Sequence, residues 1–69
     1  MRFSDSENHC RIVQALADYD LSITDLARDV LGMDSIEVHQ HIADARYAVG
    51  VNTNIQLVIY YYKLGYITL

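Results

Sequence analysis

The chain has 69 residues, 52% hydrophobic and 20% charged, which predicts one small globular domain spanning residues 1–69. Its formal net charge of −4 is the wrong sign for most free-standing nucleic-acid binders, because phosphate contacts supply much of their affinity. No apolar run approaches the roughly 18 residues of a membrane helix, and the N-terminus has no signal-peptide pattern. We therefore expect a cytoplasmic protein that does not enter the membrane and, at this size, is not an enzyme.

Four capping patterns divide the chain into helices. A short polar residue is followed three positions later by an acid or glutamine at Ser4–Glu7, Ser22–Asp25, Asp34–Glu37 and Thr53–Gln56. Glycines follow the apolar ends of three segments, at Gly32, Gly50 and Gly65. Together these signals predict helices over about 5–18, 23–31, 35–48 and 54–64. In the first of them we expect the lone Cys10 to be a small buried thiol, with a reactive or dimer-linking thiol as the alternative.

The link between the second and third segments, "LGMD", is short enough to force a sharp crossing. Two short helices joined by such a glycine-containing turn form the helix-turn-helix pattern. The fourth segment is rich in β-branched and aromatic residues, so a hairpin turning at "KLG" is an alternative that would give a winged helix. The Thr53 cap and the Gly65 stop favour a helix instead.

An ordered set of short motifs then appears along the last two thirds of the chain. Its members are Ser22, Asp25, Leu26 and Ala27, then Leu31, Gly32 and Met33, then Val38, His39, Gln40, His41 and Ile42, then Val49, Gly50 and Val51, then Leu57, Val58 and Tyr61, and last Gly65, Tyr66 and Ile67. In this order the chain resembles the LuxR/GerE-type helix-turn-helix DNA-binding domain, with one extra residue near Val30. The resemblance implies an all-α, four-helix fold and a transcription regulator that often dimerises through its fourth helix.

The same resemblance supplies candidate DNA-contacting residues. They are Ser22, Thr24, Ser35, Glu37, His39, Gln40, Ala43, Asp44, Arg46 and Tyr47. Several depart from the family pattern: Glu37 replaces a threonine, His39 a lysine, Asp44 an asparagine, and Tyr47-Ala48 a basic pair. These departures lower the positive charge of the third helix, so the resemblance supports the fold more strongly than it supports DNA binding.

Helical periodicity assigns two faces to the third helix. Val38, Ile42, Ala45 and Val49 form a core-facing stripe, with a half-buried His41 at its edge, bonded to a backbone group or to the first helix. The opposite face centres on Ile36, Gln40, Ala43 and Tyr47. Gln40 can pair bidentately with adenine, whereas Glu37 and Asp44 repel phosphates. His39 and His41 lie about 200° apart around the helix, so they cannot share a metal ion, and we expect no metal or other cofactor.

The fourth segment is apolar on two sides. Leu57, Tyr61 and Leu64, bordered by Val58, form a stripe that closes the core. A second stripe of Ile55, Ile59 and Tyr62, extended by Tyr66, predicts a partner surface, because a helix apolar nearly all round is normally buried on both sides. A monomer with a few exposed tyrosines is the alternative.

These features predict a small transcription regulator that binds DNA as a homodimer. The second hypothesis, favoured by the charge, is an antiactivator-like module that uses the same fold to bind another regulator through its acidic face. The initial Met1 is consistent with a complete small regulator, although a piece of a longer one would read the same.

Overall fold

A computed structural model describes the backbone of residues 3–69 and the side chains of residues 7–69. Within that part of the chain every regular element is helical: α1 (Phe3–Asp18), α2 (Ile23–Leu26, continued by a π-helical turn at Ala27–Leu31), α3 (Ser35–Val49) and α4 (Asn54–Lys63). The predicted all-α class is confirmed. The winged-helix alternative is wrong, because the segment proposed as a hairpin forms α4 and residues 3–69 contain no strand.

The helix starts follow the predicted caps with differing completeness. At α4 the box is reciprocal: Thr53 Oγ1 accepts from Gln56 N at 3.1 Å, and Gln56 Oε1 accepts from Thr53 N at 3.2 Å. Ser22 caps α2, accepting from Asp25 N at 3.2 Å. Asp34 caps α3 by accepting from Ile36 N at 2.8 Å, one residue earlier than predicted.

The predicted N-cap at Ser4 is wrong. Helix α1 already begins at Phe3, so Ser4 lies inside the helix and not at its N-cap. The side chain of Ser4 is outside the described residues. Gly32 and Gly50 end their helices in the left-handed conformation, at φ 61° and 76°, which glycine adopts without a Cβ clash.

Helix α2 changes from α to π winding over its last five residues. The Gly32 N–H donates to the carbonyl of Ala27 five residues back, and Met33 N donates to the same oxygen at 2.9 Å. A π turn holds one residue more than an α turn, so the chain advances less per turn at the end of this helix. Arg11 on α1 stabilises the end of this turn, donating from Nη2 to Leu31 O at 2.8 Å.

One core lies between the helices. Its buried members are Ile12, Val13, Ala15, Leu26, Ala27, Leu31, Val38, Ile42, Ala45, Leu57, Tyr61 and Ile67. The predicted core stripe of α3 is buried except for Val49, which is half-buried. On α4 the prediction for Leu64 is wrong: it is 49% exposed, because the helix ends at Lys63 and the chain turns so that Ile67 enters the core.

The segment after α4 is fixed against α1. Gln14 Nε2 donates to Thr68 O at 2.7 Å, and Thr68 N donates back to Gln14 Oε1 at 2.9 Å. This two-way amide pairing places Ile67 in the core and brings Leu69 beside the C-terminal half of α1. No helix in the described part of the chain is both long and apolar enough to cross a membrane.

Candidate functional site

Helix α3 presents its predicted outer face to solvent over its whole length. Glu37, His39, Gln40, Ala43 and Asp44 are all exposed. At the two ends of this face Ile36 is 66% exposed and Tyr47 is 91% exposed. The face is therefore available for a macromolecular contact, and Gln40 lies at its centre.

Three of the four remaining predicted DNA-contacting residues are less available. Ser35 is half-buried as the first residue of α3, and Ser22 already uses its hydroxyl as the cap of α2. Thr24 is exposed in the first turn of α2. Arg46 is half-buried and donates from Nη1 to Asn52 O at 3.4 Å, so its guanidinium points toward the turn after α3.

Most of the lysine and arginine side chains of residues 7–69 form hydrogen bonds with other groups of the same chain. Arg28 donates to Asp29 Oδ1 at 2.8 Å and to Asp25 Oδ1 at 2.9 Å. These hydrogen bonds raise the pKa of Arg28, and the bond to Asp29 holds the pKa of that carboxyl below its usual value. Arg11 is directed at Leu31 O, and Lys63 belongs to α4. Three of the four cations among these residues, Arg11, Arg28 and Arg46, therefore each donate a hydrogen bond within the molecule.

His41 lies where the sequence predicted, half-buried at the edge of the core. Its ring meets His9 of α1 edge-to-face, with ring centroids 5.1 Å apart, so His41 contacts the first helix through its ring where the sequence predicted a bond. His41 Nδ1 is buried without a hydrogen-bond partner. Sequence reasoning could not pair these rings, because His9 and His41 meet only once α1 packs on α3.

The second predicted surface is exposed as expected. Ile55 is 73% exposed, Ile59 45%, Tyr62 50% and Tyr66 60%. Tyr66 also packs edge-to-face on the buried Tyr61, with centroids 5.6 Å apart. An apolar stripe of this size on a small domain is typical of an interaction surface.

Beside this stripe lies a groove that the sequence alone did not reveal. It has a volume of about 280 Å³ and is lined by Leu16, Ala17, Asn54, Ile55, Val58, Ile59 and Leu69. Its one polar lining residue, Asn54, has an Oδ1 atom that is buried without a hydrogen-bond partner. The one sequence signal for this groove was a polar residue, Asn54, directly after the Thr53 cap. Its position beside Leu16 could not be predicted, because it depends on how α1 packs on α4.

Cys10 is half-buried and packs against the core, so it is less enclosed than predicted. Among the described residues no group of three or more His, Cys, Asp or Glu side chains is arranged to hold a metal ion.

Comparisons with protein-family models, with curated proteins and with solved structures gave no match to this chain.

Proposed function

We propose that the chain is a small LuxR/GerE-type helix-turn-helix transcription regulator that binds DNA through α3 and acts as a homodimer through α4. The observation that carries the proposal is the exposed outer face of α3, with Gln40 at its centre and the Gly32 turn joining it to α2. A recognition helix needs an outer face that is not consumed by packing, since it enters the major groove.

Base reading in this proposal rests on Gln40. Its carboxamide can donate to N7 and accept from N6 of one adenine, which distinguishes that base from the other three. His39 and Tyr47 flank it on exposed positions. Arg46 can reach a phosphate only by leaving the Asn52 carbonyl, a long contact of 3.4 Å that costs little to break.

The acids on α3 oppose this binding and define its test. Glu37 and Asp44 are exposed on the same helix, and each would meet the phosphate rail with like charge. If α3 reads DNA, Glu37→Lys and Asp44→Asn each tighten non-specific binding several-fold at low salt. Gln40→Ala costs about 1–3 kcal/mol on the specific site and relaxes the preference at one base pair.

The experiment is a gel-shift selection from genomic fragments at low and physiological salt, followed by titration of the variants on the selected site. Glu7→Gln is the matched control for Asp44→Asn, because it removes the same charge from an exposed position on α1. A control that tightens binding as much as Asp44→Asn would assign the effect to net charge, not to α3. If Gln40→Ala binds the selected site as tightly as wild type, Gln40 is not the base reader.

A second function is favoured by the charge and by the two apolar ends of the face. Ile36, Ala43 and Tyr47 recur at helical spacing around Gln40, with Glu37 and Asp44 beside them. This is the pattern of a helix that docks in an apolar groove rimmed by basic residues on another protein. In that case Glu37→Lys and Asp44→Asn weaken the complex with a partner regulator and leave DNA binding absent. The two functions thus predict opposite signs for the same variants.

A further inference from the structure

The groove beside α4 and the stripe on α4 share two residues. Ile55 and Ile59 belong to both, so any molecule that covers the stripe also covers the groove. Ile55, Ile59, Tyr62 and Val58 lie within about 100° of one another around the helix, since successive residues are about 100° apart. The groove lies at the Ile55 end of this stripe and the exposed Tyr62 lies at the other end.

This arrangement is self-complementary. In a two-fold dimer one patch meets itself, so residue i contacts j and j contacts i. If two α4 helices pack antiparallel about the Val58–Ile59 level, Ile55 of one copy faces Tyr62 of the other, and Ile59 lies next to the axis. Each groove then receives an aromatic ring from the opposite helix.

The polar residue that lines the groove, Asn54, favours a tyrosine ring over a phenylalanine ring. Asn54 Oδ1 is buried without a partner, and a buried acceptor left unsatisfied costs free energy. Asn54 lines the groove, and because its χ2 torsion is soft, this oxygen can turn to face a group that enters there. A tyrosine hydroxyl entering above Ile55 can then donate to it, whereas a phenylalanine could fill the same space without doing so.

The available area is consistent with a second copy as the occupant. Ile55, Ile59, Tyr62, Tyr66 and Leu69 are between 45% and 76% exposed. With roughly 150–200 Å² per large side chain, they offer on the order of 500–600 Å² per copy, and a pair reaches the ~1,000 Å² that a specific interface needs. The pairing between Gln14 and Thr68 holds the Leu69 wall of the groove in place before any partner arrives.

We propose that the groove between α1 and α4 is the receiving site for Tyr62 of a second copy, whose hydroxyl donates to Asn54 Oδ1 in an antiparallel α4 pair. The inference rests on the dimer part of the proposed function and adds the residue that each copy contributes to the other. It places no demand on DNA binding by α3.

The test measures the dimer dissociation constant by sedimentation equilibrium for wild type, Tyr62→Phe, Asn54→Leu and the double variant. Tyr62→Phe is expected to weaken the dimer about tenfold, because the ring stays and the donor is lost. In an Asn54→Leu background, Tyr62→Phe is expected to change the dimer dissociation constant by less than about twofold, because the acceptor for the hydroxyl is already absent. Tyr60→Phe is the matched control, since Tyr60 lies on the same helix about 160° away from Tyr62 around the axis.

Orientation is tested by cross-linking in a Cys10→Ser background. Mixed Ile55→Cys and Tyr62→Cys chains form the disulfide in an antiparallel pair, whereas Tyr62→Cys alone cross-links efficiently only in a parallel pair. A dimer that Tyr62→Phe leaves as tight as wild type would overturn the groove assignment and leave the dimer standing. Efficient cross-linking of Tyr62→Cys alone would overturn the antiparallel arrangement. A wild-type chain that sediments as a monomer at high micromolar concentration would overturn both the inference and the proposed dimer.

Discussion

Replacing Ile59 with glutamate separates association from folding, because Ile59 is an exposed residue that is not part of the core. It is 45% exposed, at the middle of the stripe on α4. If a partner covers that exposed part, roughly 80 Å² of apolar surface, the contact contributes about 2 kcal/mol per copy at ~25 cal/mol per Å². Two copies lose the contact together, so the Ile59→Glu dimer is weakened by about 4 kcal/mol, or roughly a thousandfold. Burying the carboxylate adds to this loss.

Sedimentation and circular dichroism give the two readouts. We expect Ile59→Glu to sediment as a monomer at concentrations where wild type is dimeric, and to keep its helix content because glutamate forms helices at least as well as isoleucine. Tyr60→Glu is the matched control: it adds the same charge to α4 at an exposed residue outside the stripe, about 100° around the helix from Ile59. Equal dissociation in both variants would mean that net charge, and not the stripe, controls association. An unchanged Ile59→Glu dimer would refute the interface.

Two further predictions concern stability. Burial raises the pKa of Tyr61 above its ordinary value of 10.0, with Cys10 and Tyr66 adding to the rise. As the pH rises past 10, the unfolded chain loses the Tyr61 proton before the folded chain does, so the free energy of unfolding falls. In urea titrations between pH 8 and 11, Tyr61→Phe should make this fall less steep. An equally steep fall in the variant would contradict the assignment of the fall to Tyr61. In the same assay Gly50→Ala should lower the free energy of unfolding by about 1–2 kcal/mol, because residues with a Cβ disfavour the left-handed φ of 76° at this position. No neighbouring atom adds to this cost, since the space around Gly50 is open. Gly50→Asn should cost less, and a variant as stable as wild type would show that the helix end can rearrange.

Much of the fold was predictable because its signals are local in the sequence. The Thr53–Gln56 box and the glycines at 32 and 50 act within one helical turn, so residues close together in the chain report them directly. The core face of α3 was predictable for the same reason, since Val38, Ile42 and Ala45 recur at helical spacing. The four helix ranges were consequently right to within a few residues.

The errors arose where packing overrides the periodicity. Leu64 continues the stripe of Leu57 and Tyr61, yet the helix ends first and Ile67 fills the core in its place. The groove was not predictable, since its walls come from α1, α4 and the segment at Leu69, which meet only in three dimensions. The contact of the Arg46 guanidinium with the Asn52 carbonyl was likewise not predictable, because it depends on the path of the turn after α3.

The placement of the cations sharpens what the net charge of −4 means for the proposed function. Arg28 is paired with Asp25 and Asp29, so its charge is balanced locally and contributes little to attraction at a distance, whereas Arg11 donates to the neutral Leu31 O and keeps its net charge. Counterion release would then supply a smaller share of DNA affinity than in a basic domain, and affinity would depend less steeply on salt. Under the proposed function, specific contacts from the two α3 helices of a dimer would supply the rest of the affinity. Under the proposed function, the interface on α4 would therefore be as important to DNA recognition as Gln40, because a single acidic copy has too little non-specific attraction to hold it on the duplex.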